Sequence, residues 1–318
     1  MAQKNLSIGV DIGGTHITCA AVEMTAGKLL EKTLSRVAYG HEDAAAVILH
    51  SWATALNDTI SKVDATQLAG IGFAIPGPFD YRNGISKMKH KFPNLYDIHI
   101  PTALRNQLSE SFQLSESLLE NLPMRFLNDA SAFAVGEAWL GEGKGFQKVV
   151  VITLGTGFGS AFIDGGAPVV VRADVPKEGC LWHLPFKNNI ADDYFATKWF
   201  VREYEKQTGG KIEGVKDLME KNGTDEVAQK LFAQFGHNLA ECLAPWLRSF
   251  GAEVLVIGGN IARALPLFEE VFKNDLKKAG VSLKVAPSKL LENAALIGSA
   301  RLLDDEFWEK VSAQLPNI

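Results

Sequence analysis

Cysteine is scarce in this sequence, and the few cysteines are isolated. The chain has three in 318 residues, Cys19, Cys180 and Cys242, and no CxxC pair. An odd number of distant cysteines argues against a disulfide framework and against a cysteine-rich zinc site. This usage is typical of a reducing compartment, so we expect a cytoplasmic protein.

Long hydrophobic runs and an excess of basic charge are also lacking. The opening residues "MAQKNLSIGV" have no apolar core of a signal peptide, and no apolar stretch is long enough to span a bilayer. The net charge is −5, and the one basic cluster, "KMKHK" at 87–91, is short. A general nucleic-acid binder needs a concentrated basic surface. We therefore expect neither a membrane nor a nucleic-acid partner.

What is present is one pattern that occurs twice. Residues 6–30 and 149–171 each read as a strand, a bend rich in glycine and threonine, a second strand, a glycine turn and a third strand. A repeat of this length predicts two lobes of similar topology rather than a solenoid. We divide the chain into an N-terminal lobe, 1–127, with 301–318 packing back on it, and a C-terminal lobe, 128–300.

Between the repeats the pattern alternates further strands with helices, which indicates an α/β protein. Strands are predicted at 28–34, 68–80, 123–129 and 252–260, and helices at about 42–62, 130–143, 190–207, 225–250 and 291–312.

The first bend, "DIGGT", combines an acid with two glycines. Gly13 and Gly14 expose amide groups that suit an anion, and the hydroxyl of Thr15 adds a donor. Asp11 would repel a phosphate unless a divalent cation lay between them, which is a common arrangement for Mg²⁺. A plain hairpin turn in which the aspartate bonds its own backbone explains the same residues equally well.

The second bend, "TLGTGFGS", carries Gly155, Thr156 and Gly157. Its spacing is GxGxG and a strand follows, so it does not fit the dinucleotide fingerprint. The sequence also contains no GxxxxGK[ST]. Two such bends, one on each lobe, would hold a polyphosphate from both sides if they faced one another.

A candidate general base follows a predicted strand in "FLNDASA". Asp129 lies where the strand ends and a helix begins. It could accept a proton from a substrate hydroxyl during phosphoryl transfer, with Asn128 positioning that hydroxyl. The alternative is a helix N-cap, a common role for aspartate.

Two further segments carry polar residues suited to a sugar. "KEGCLWHLPF" contains Glu178 and His183, which offer an acceptor and a switchable donor for hydroxyl groups. A histidine beside a tryptophan is also often purely structural. The loop Pro76–Gly77–Pro78 is either substrate-lining or a simple turn.

Taken together, these motifs resemble the ROK family of sugar kinases and repressors. "DIGGT", "GFAIPGP", "FLNDASAFAVGEAWLG", "LGTGFGSAFIDGG" and "VLVIGGNIARA" occur in that family's order and approximate spacing, over about residues 6–300. The resemblance implies the two-lobed, ribonuclease-H-like fold shared by actin, hexokinases and the heat-shock ATPases, with a central cleft. It also implies a homodimer.

The resemblance assigns roles to individual positions. Asp129 becomes the base that activates a sugar hydroxyl, and Asp11 the acid associated with Mg²⁺, through water. The phosphate and ATP-binding positions would be Gly13, Gly14, Thr15, Gly155, Thr156, Gly157, Gly258 and Gly259. The sugar-binding positions would be Gly77, Asn94, Asn128, Asp129, Glu178, His183 and Asp193.

The sequence departs from the family pattern at two places. The family has Glu-x-Gly-His, whereas here Glu178 and His183 are further apart. The zinc-binding CxCGxxGCxE is replaced by "LPFKNNIADDYFAT", in which Asp193 stands where the family has a sugar-binding glutamate. We therefore predict no structural zinc. The replaced loop resembles that of zinc-free members, which include polyphosphate-using glucokinases.

The resulting hypothesis is transfer of the γ-phosphoryl group of Mg²⁺–ATP to a hexose, with the glucose 6-hydroxyl as the first expectation. Polyphosphate as donor, or an N-acetylhexosamine or fructose as acceptor, stays open. So do a sugar-sensing protein without catalysis and a nucleotide-driven ATPase of the same fold. We expect no DNA-binding domain, which disfavours the repressor branch.

Overall fold

The computed structural model describes residues 4–315. Its strands alternate with helices, as the sequence pattern predicts. The strands are β1 (Leu6–Ile12), β2 (His16–Glu23), β3 (Lys28–Leu29), β4 (Ser35–Ala38), β5 (Leu68–Ile75), β6 (Phe79–Asp80), β7 (Ile85–Ser86), β8 (Met124–Asn128), β9 (Lys148–Leu154), β10 (Phe158–Asp164), β11 (Ala167–Pro168), β12 (Pro185–Phe186), β13 (Asn189–Ile190), β14 (Val254–Gly258) and β15 (Lys284–Pro287).

The helices account for most of the remaining ordered chain. They are α1 (Ala45–Ile60), α2 (Ile100–Phe112), α3 (Glu116–Glu120), α4 (Asp129–Leu140), α5 (Asp192–Phe195), α6 (Thr197–Thr208), α7 (Val215–Lys221), α8 (Glu226–Phe250), α9 (Leu265–Lys278), α10 (Asn293–Arg301) and α11 (Asp305–Ser312). Within residues 4–315, no helix is both long enough and apolar enough to cross a membrane.

Two compact units share the same sheet topology. The first unit contains a sheet in the order β3-β2-β1-β5-β8, with β4 also paired to β2. The second contains a sheet in the order β11-β10-β9-β14-β15. In both, the two strands of the opening hairpin are antiparallel and the next two strands join in parallel. The internal repeat read from the sequence is thus confirmed as two copies of one βββ unit extended by parallel strands.

The contacts group the chain somewhat differently from the lobes drawn on the sequence. The first unit runs up to Leu140 and resumes at Glu292, and the second is Gly141–Leu291. Residues 128–140 and 292–300, which the sequence interpretation placed in the C-terminal lobe, make their contacts in the first unit. The reason is that α4 and α10 pack against each other and against the first sheet.

Glycines allow this close packing of α10. A Cβ at Gly298 would lie 1.8 Å from the carbonyl oxygen of Ala132 in α4, and one at Gly136 would lie 2.0 Å from that of Ala294 in α10. On the sheet side, a Cβ at Gly9 would lie 1.9 Å from the carbonyl oxygen of Leu296. The backbones therefore touch where any side chain would hold them apart.

The second unit has a largely aromatic core. Phe162, Phe195, Trp199, Phe200 and Phe235 are all fully or almost fully buried there. Burial of rings of this size contributes the largest hydrophobic term per residue. The core holds β10 and α8 against the segment that begins at α5.

The predicted length of the third strand in the first repeat is wrong. The sequence suggested one strand over 28–34, but β3 stops at Leu29 and a 3₁₀ turn follows at Glu31–Thr33. The buried side chain of Thr33 explains this, because its Oγ1 accepts from the amide of Ala21 at 2.8 Å and donates to the carbonyl of Leu30 at 2.6 Å. The hydroxyl thus takes the place of a backbone partner for β2.

Two helices expected to be continuous are broken. The helix predicted over 190–207 is interrupted at Ala196, which has an extended backbone, and that over 291–312 is interrupted before Asp304. The amide of Phe307 donates to Asp304 at 2.9 Å, so a new helix starts there with its own cap. Directly after Ala196, the amide and the hydroxyl of Thr197 both donate to the carbonyl of Gly155 in the second glycine bend, and α6 begins there.

Candidate active site

In the first unit, the "DIGGT" bend lies between β1 and β2 and is held by Tyr39. The hydroxyl of Tyr39 donates to the carbonyl of Gly13 at 2.6 Å, and its amide donates to the carbonyl of Thr15 at 3.0 Å. The amide of Gly13 donates to the carbonyl of His16 at 3.0 Å. The carbonyl groups of Gly13, Thr15 and His16 therefore all have hydrogen-bond donors within the protein, which fixes the shape of the bend. Sequence reasoning missed Tyr39, which lies outside the motif.

Gly14 is at the open tip of this bend. It is exposed, and no atom lies within 4 Å of the position that a Cβ would occupy. Its φ is outside the left-handed range in which glycine is favoured. Neither backbone conformation nor packing therefore requires glycine here, and the space beside it is free for a ligand.

Asp11 lies in β1 next to the bend and is electrostatically unusual. Burial of its carboxyl group and, to a smaller extent, the negative charges of Asp129 and Glu292 together raise its pKa to about 7. The guanidinium of Arg36 acts in the opposite sense. A carboxylate made unstable by burial and by other acids is one that a divalent cation would stabilise.

Arg36 and Glu292 belong to this site although sequence reasoning did not find them. Arg36 Nη2 lies 2.9 Å from Nε2 of His16, and its Nη1 pairs with Glu292 at 3.4 Å. The side chain of His16 in turn lies 3.1 Å from Oγ1 of Thr15. Burial and the neighbouring Arg36 lower the pKa of His16. Strand pairing between β2 and β4 brings Arg36 to the bend, and Glu292 reaches it from the position just before α10.

Asn128, and not Asp129, caps helix α4. Oδ1 of Asn128 accepts from the amide of Ser131 at 3.2 Å. Asp129 is the first residue of the helix and half-buried, and its Oδ1 accepts from the next amide, that of Ala130, at 2.9 Å. Of the two roles considered for Asp129, the N-cap is therefore taken by its neighbour.

The remaining sugar-site candidates of the first unit are held by protein contacts. Nδ2 of Asn128 lies 3.4 Å from the hydroxyl of Tyr81, and a Cβ at Gly77 would lie 3.1 Å from the same hydroxyl. Tyr81 thus links two predicted positions and was missed from the sequence. Asn94 donates from Nδ2 to the carbonyls of Glu42 and Asp43, each at 3.0 Å, which ties its loop to the start of α1.

In the second unit, the "LGTG" bend between β9 and β10 is held by the segment that begins α5 and α6. The carbonyl of Gly155 accepts from both the amide and the hydroxyl of Thr197, at 2.8 and 2.9 Å. The amide of Phe158 donates to Oδ1 of Asp192 at 2.8 Å. Thr156 is exposed at the tip, and no atom lies within 4 Å of a Cβ placed at Gly155.

Gly258 and Gly259 adjoin this bend. Gly258 pairs with Thr153 at the end of β14. Gly259 has φ 81°, and a Cβ there would lie 2.3 Å from the carbonyl oxygen of Leu154. Glycine at 259 is therefore required by the fold itself, because the backbone passes directly over the residue that precedes Gly155.

Glu178, His183 and Asp193 lie in the same unit but do not bond to each other. Glu178 has φ 58° and a half-exposed side chain, and the ring of His183 meets Trp182 edge to face at 5.2 Å. The carboxylate of Asp193 pairs with Nζ of Lys198 at 2.8 Å, and this lowers its pKa. Asp193 is thus engaged by a lysine that sequence reasoning did not consider.

A sequence model of the ROK family matches residues 7–174. The chain belongs to the ROK family. The matched range contains the first bend, the cap of α4 and the second bend.

Several curated relatives of this ROK protein carry kinase names. A glucokinase of Thermotoga maritima is 27% identical, with 94% of this chain and 97% of that protein covered. An N-acetyl-D-glucosamine kinase of Pectobacterium atrosepticum is 24% identical, with 83% and 86% covered. At the family level these similarities support a kinase.

Solved structures confirm the fold class. The ROK family glucokinase of Streptomyces griseus, in complex with glucose and AMPPNP, matches with a TM-score of 0.68 and 23% identity over 94% of this chain and 99% of that one. The ROK protein described here therefore has the actin-like, ribonuclease-H-like α/β fold that its sequence predicts.

Proposed function

We propose that this protein transfers the γ-phosphoryl group of ATP to a hydroxyl group of a hexose, with the 6-hydroxyl of glucose as the first candidate. The observation that carries the proposal is the acidic group of the first unit. The negative charges of Asp129 and Glu292 help to raise the pKa of Asp11, which lies next to a glycine bend whose tip is open. Relatives named glucokinase and N-acetyl-D-glucosamine kinase support the reaction class.

Asp129 is proposed as the general base. Asn128 satisfies the first turn of α4, so the Asp129 carboxylate is not needed as the cap. A half-buried carboxylate at this position can accept the proton of a sugar hydroxyl as that oxygen attacks phosphorus. The bond from the hydroxyl oxygen to phosphorus forms while the bond to the leaving ADP oxygen breaks.

The residues of the first unit suit Mg²⁺. The raised pKa of Asp11 reflects a carboxylate whose charge the protein alone compensates poorly, and oxygen ligands are those that Mg²⁺ prefers. Asp11 would hold the ion, through water. When bound with ATP, Mg²⁺ neutralises charge on the phosphoryl groups. Thr15 and the Gly14 amide would bind phosphate oxygens beside it, as the amides of Thr156 and Gly157 would in the second unit.

A panel of donors and acceptors tests the proposal. Purified protein would be incubated with ATP or polyphosphate and with glucose, mannose, fructose, N-acetylglucosamine or N-acetylmannosamine, and the sugar phosphate measured directly. We expect turnover with ATP and glucose. Turnover confined to an N-acetylhexosamine or to polyphosphate would change the substrate but keep the reaction class.

Two outcomes would contradict the kinase itself. Sugar binding in calorimetry without turnover with any donor would indicate a sugar-sensing protein. ATP hydrolysis at a rate that no hexose changes would indicate an ATPase of the same fold.

A further inference from the structure

Asp192 makes three contacts that none of the sequence motifs predicted. Its Oδ1 accepts from the amide of Phe158, at the end of the second glycine bend, at 2.8 Å. Its Oδ2 pairs with Nζ of Lys198 at 2.7 Å. Its own amide donates to the carbonyl of Trp182 at 3.0 Å. One residue thus joins the bend to the segment that carries His183.

We propose that Asp192 is a positioning residue that holds the second glycine bend in its nucleotide-binding shape and couples it to the segment Trp182–His183. This inference rests on the proposed function, because it assigns ATP phosphates to that bend and the sugar to His183. Asp192 would touch neither substrate.

The amide of Phe158, at the end of the second glycine bend, donates to the carboxylate of Asp192. A glycine-rich bend binds phosphate with amides that point outward together. In this bend the Phe158 amide is already taken by a carboxylate, so it is withdrawn from the set that can meet a phosphate. The bond to Asp192 fixes the direction of this amide at the residue where β10 begins. The rest of the bend is thereby held at one end by Asp192 and at the other by Thr197 on Gly155.

The negative charge of Asp192 lies beside the second glycine bend. A carboxylate next to a phosphate-binding bend would repel the anion if it were uncompensated. Lys198 offsets part of this repulsion, since its single ammonium group contacts both Asp192 and Asp193. The side chain of Asp192 is only 22% exposed, so the pair is partly shielded from solvent. The carboxylate can therefore hold the bend at a reduced electrostatic cost to bound phosphate.

The backbone on both sides of His183, which is assigned to the sugar, is bonded to Asp192 and its neighbour Ala191. Trp182 is 48% exposed and its ring meets His183 edge to face. The carbonyl of Trp182 is held by the Asp192 amide, and the amide of Ala191 donates to the carbonyl of Leu184 at 2.9 Å. A shift of Asp192 would therefore move the backbone on both sides of His183. Loss of the hydrogen bond to Phe158 is therefore expected to weaken the binding of both ATP and the hexose.

Substitutions at Asp192 separate its carboxylate geometry from its charge. Asp192→Ala removes the acceptor, Asp192→Asn keeps an acceptor oxygen without charge, and Lys198→Gln removes the ion pairs but leaves the Phe158 bond. For Asp192→Ala we expect a roughly tenfold weaker affinity for ATP, as expected from loss of one hydrogen bond of ordinary strength. The hexose KM should rise as well. Asp192→Asn should restore most of both. Lys198→Gln leaves the Asp192 carboxylate without its counter-charge, so ATP binding should weaken about two- to fivefold while the Phe158 amide stays protected.

The readouts are calorimetry with ATP, steady-state kinetics, and hydrogen–deuterium exchange of the peptide that contains Phe158. Wild-type protein should protect the Phe158 amide without ATP, and ATP should add little protection there. Asp192→Ala should lose that protection while its melting temperature stays near that of the wild type. Exchange of Phe158 that becomes slow only when ATP is added would overturn the inference, even if no variant at Asp192 folds.

These results also separate the inference from the proposed function. If the wild type binds ATP but phosphorylates no hexose, the proposed function fails, while weaker ATP binding by Asp192→Ala still supports the positioning role. If the wild type phosphorylates glucose and Asp192→Ala does so with unchanged constants, the positioning role fails and the kinase stands. A wild type that binds no ATP overturns both.

Discussion

Asn128 caps helix α4 through the amide of Ser131, and Asp129, the next residue, begins that helix with a carboxylate that the cap does not use. Asn128 therefore completes the start of the helix, and the carboxylate of the adjacent Asp129 is left for the proposed proton transfer.

The first prediction therefore concerns Asp129→Asn. Turnover should fall by about 10²–10⁴-fold, the usual contribution of a general base, while hexose affinity changes little. A coupled assay measures turnover and calorimetry measures sugar binding. Asp225→Asn is a matched control, because Asp225 caps α8 and asparagine caps as well as aspartate. That control should keep normal turnover. Near-normal turnover of Asp129→Asn would remove Asp129 from the role of base.

The second prediction concerns the open tips of the two bends. Gly14→Ala and Gly155→Ala should leave the melting temperature unchanged or slightly higher, because the new methyl groups meet no protein atom. The same methyl groups would occupy the space proposed for phosphate, so ATP affinity should fall. Calorimetry with ATP and a thermal melt distinguish the two effects. Unchanged ATP affinity in both variants would place the phosphates elsewhere.

The third prediction tests the close packing of α4 and α10. Gly298→Ala would place a methyl carbon 1.8 Å from the carbonyl oxygen of Ala132, so the helices must separate. Overpacking of this kind costs about 1–3 kcal/mol or more of unfolding free energy. Gly223→Ala is the control, since a Cβ there meets nothing within 4 Å. Urea unfolding should show a lower midpoint for Gly298→Ala alone. Equal midpoints would mean that the packing relaxes freely.

The fourth prediction concerns acid stability in the second unit. Arg172 pairs with Asp164 at 2.8 Å and with Asp174 at 2.6 Å, and these bonds hold the pKa of both carboxyl groups below the ordinary value of 3.8. A lowered pKa in the folded state means that the pairs stabilise the protein above pH 3.8 and that this stabilisation is lost as the pH falls further.

Thermal melts across this pH range measure the effect. The melting temperature should drop below pH 4, more steeply for the wild type than for Arg172→Met, in which both carboxyl groups return towards ordinary pKa values. Parallel curves for the two proteins would show that other groups control the acid transition.

The sequence alone predicted the repeat because each strand of the two hairpins carries its own signal. In both copies, runs of β-branched and apolar residues stand on either side of a glycine bend. These runs form β1 and β2 in the first unit and β9 and β10 in the second. The extent of the third strand was not readable in this way, because the side chain of Thr33 replaces a backbone partner of Ala21. Such a substitution depends on which atoms meet after folding.

The candidate site shows the same division between sequence and structure. The amino-acid sequence by itself determined the two glycine bends, the acid before the first and the Asn128–Asp129 step, because these depend on residue type and short spacing. Only the tertiary structure decided that Arg36 and Glu292 join Asp11 and that Asp192 reaches the second bend. The physical reason is distance along the chain: electrostatic and hydrogen-bonding partners far apart in sequence leave no local pattern, and packing alone brings them within reach.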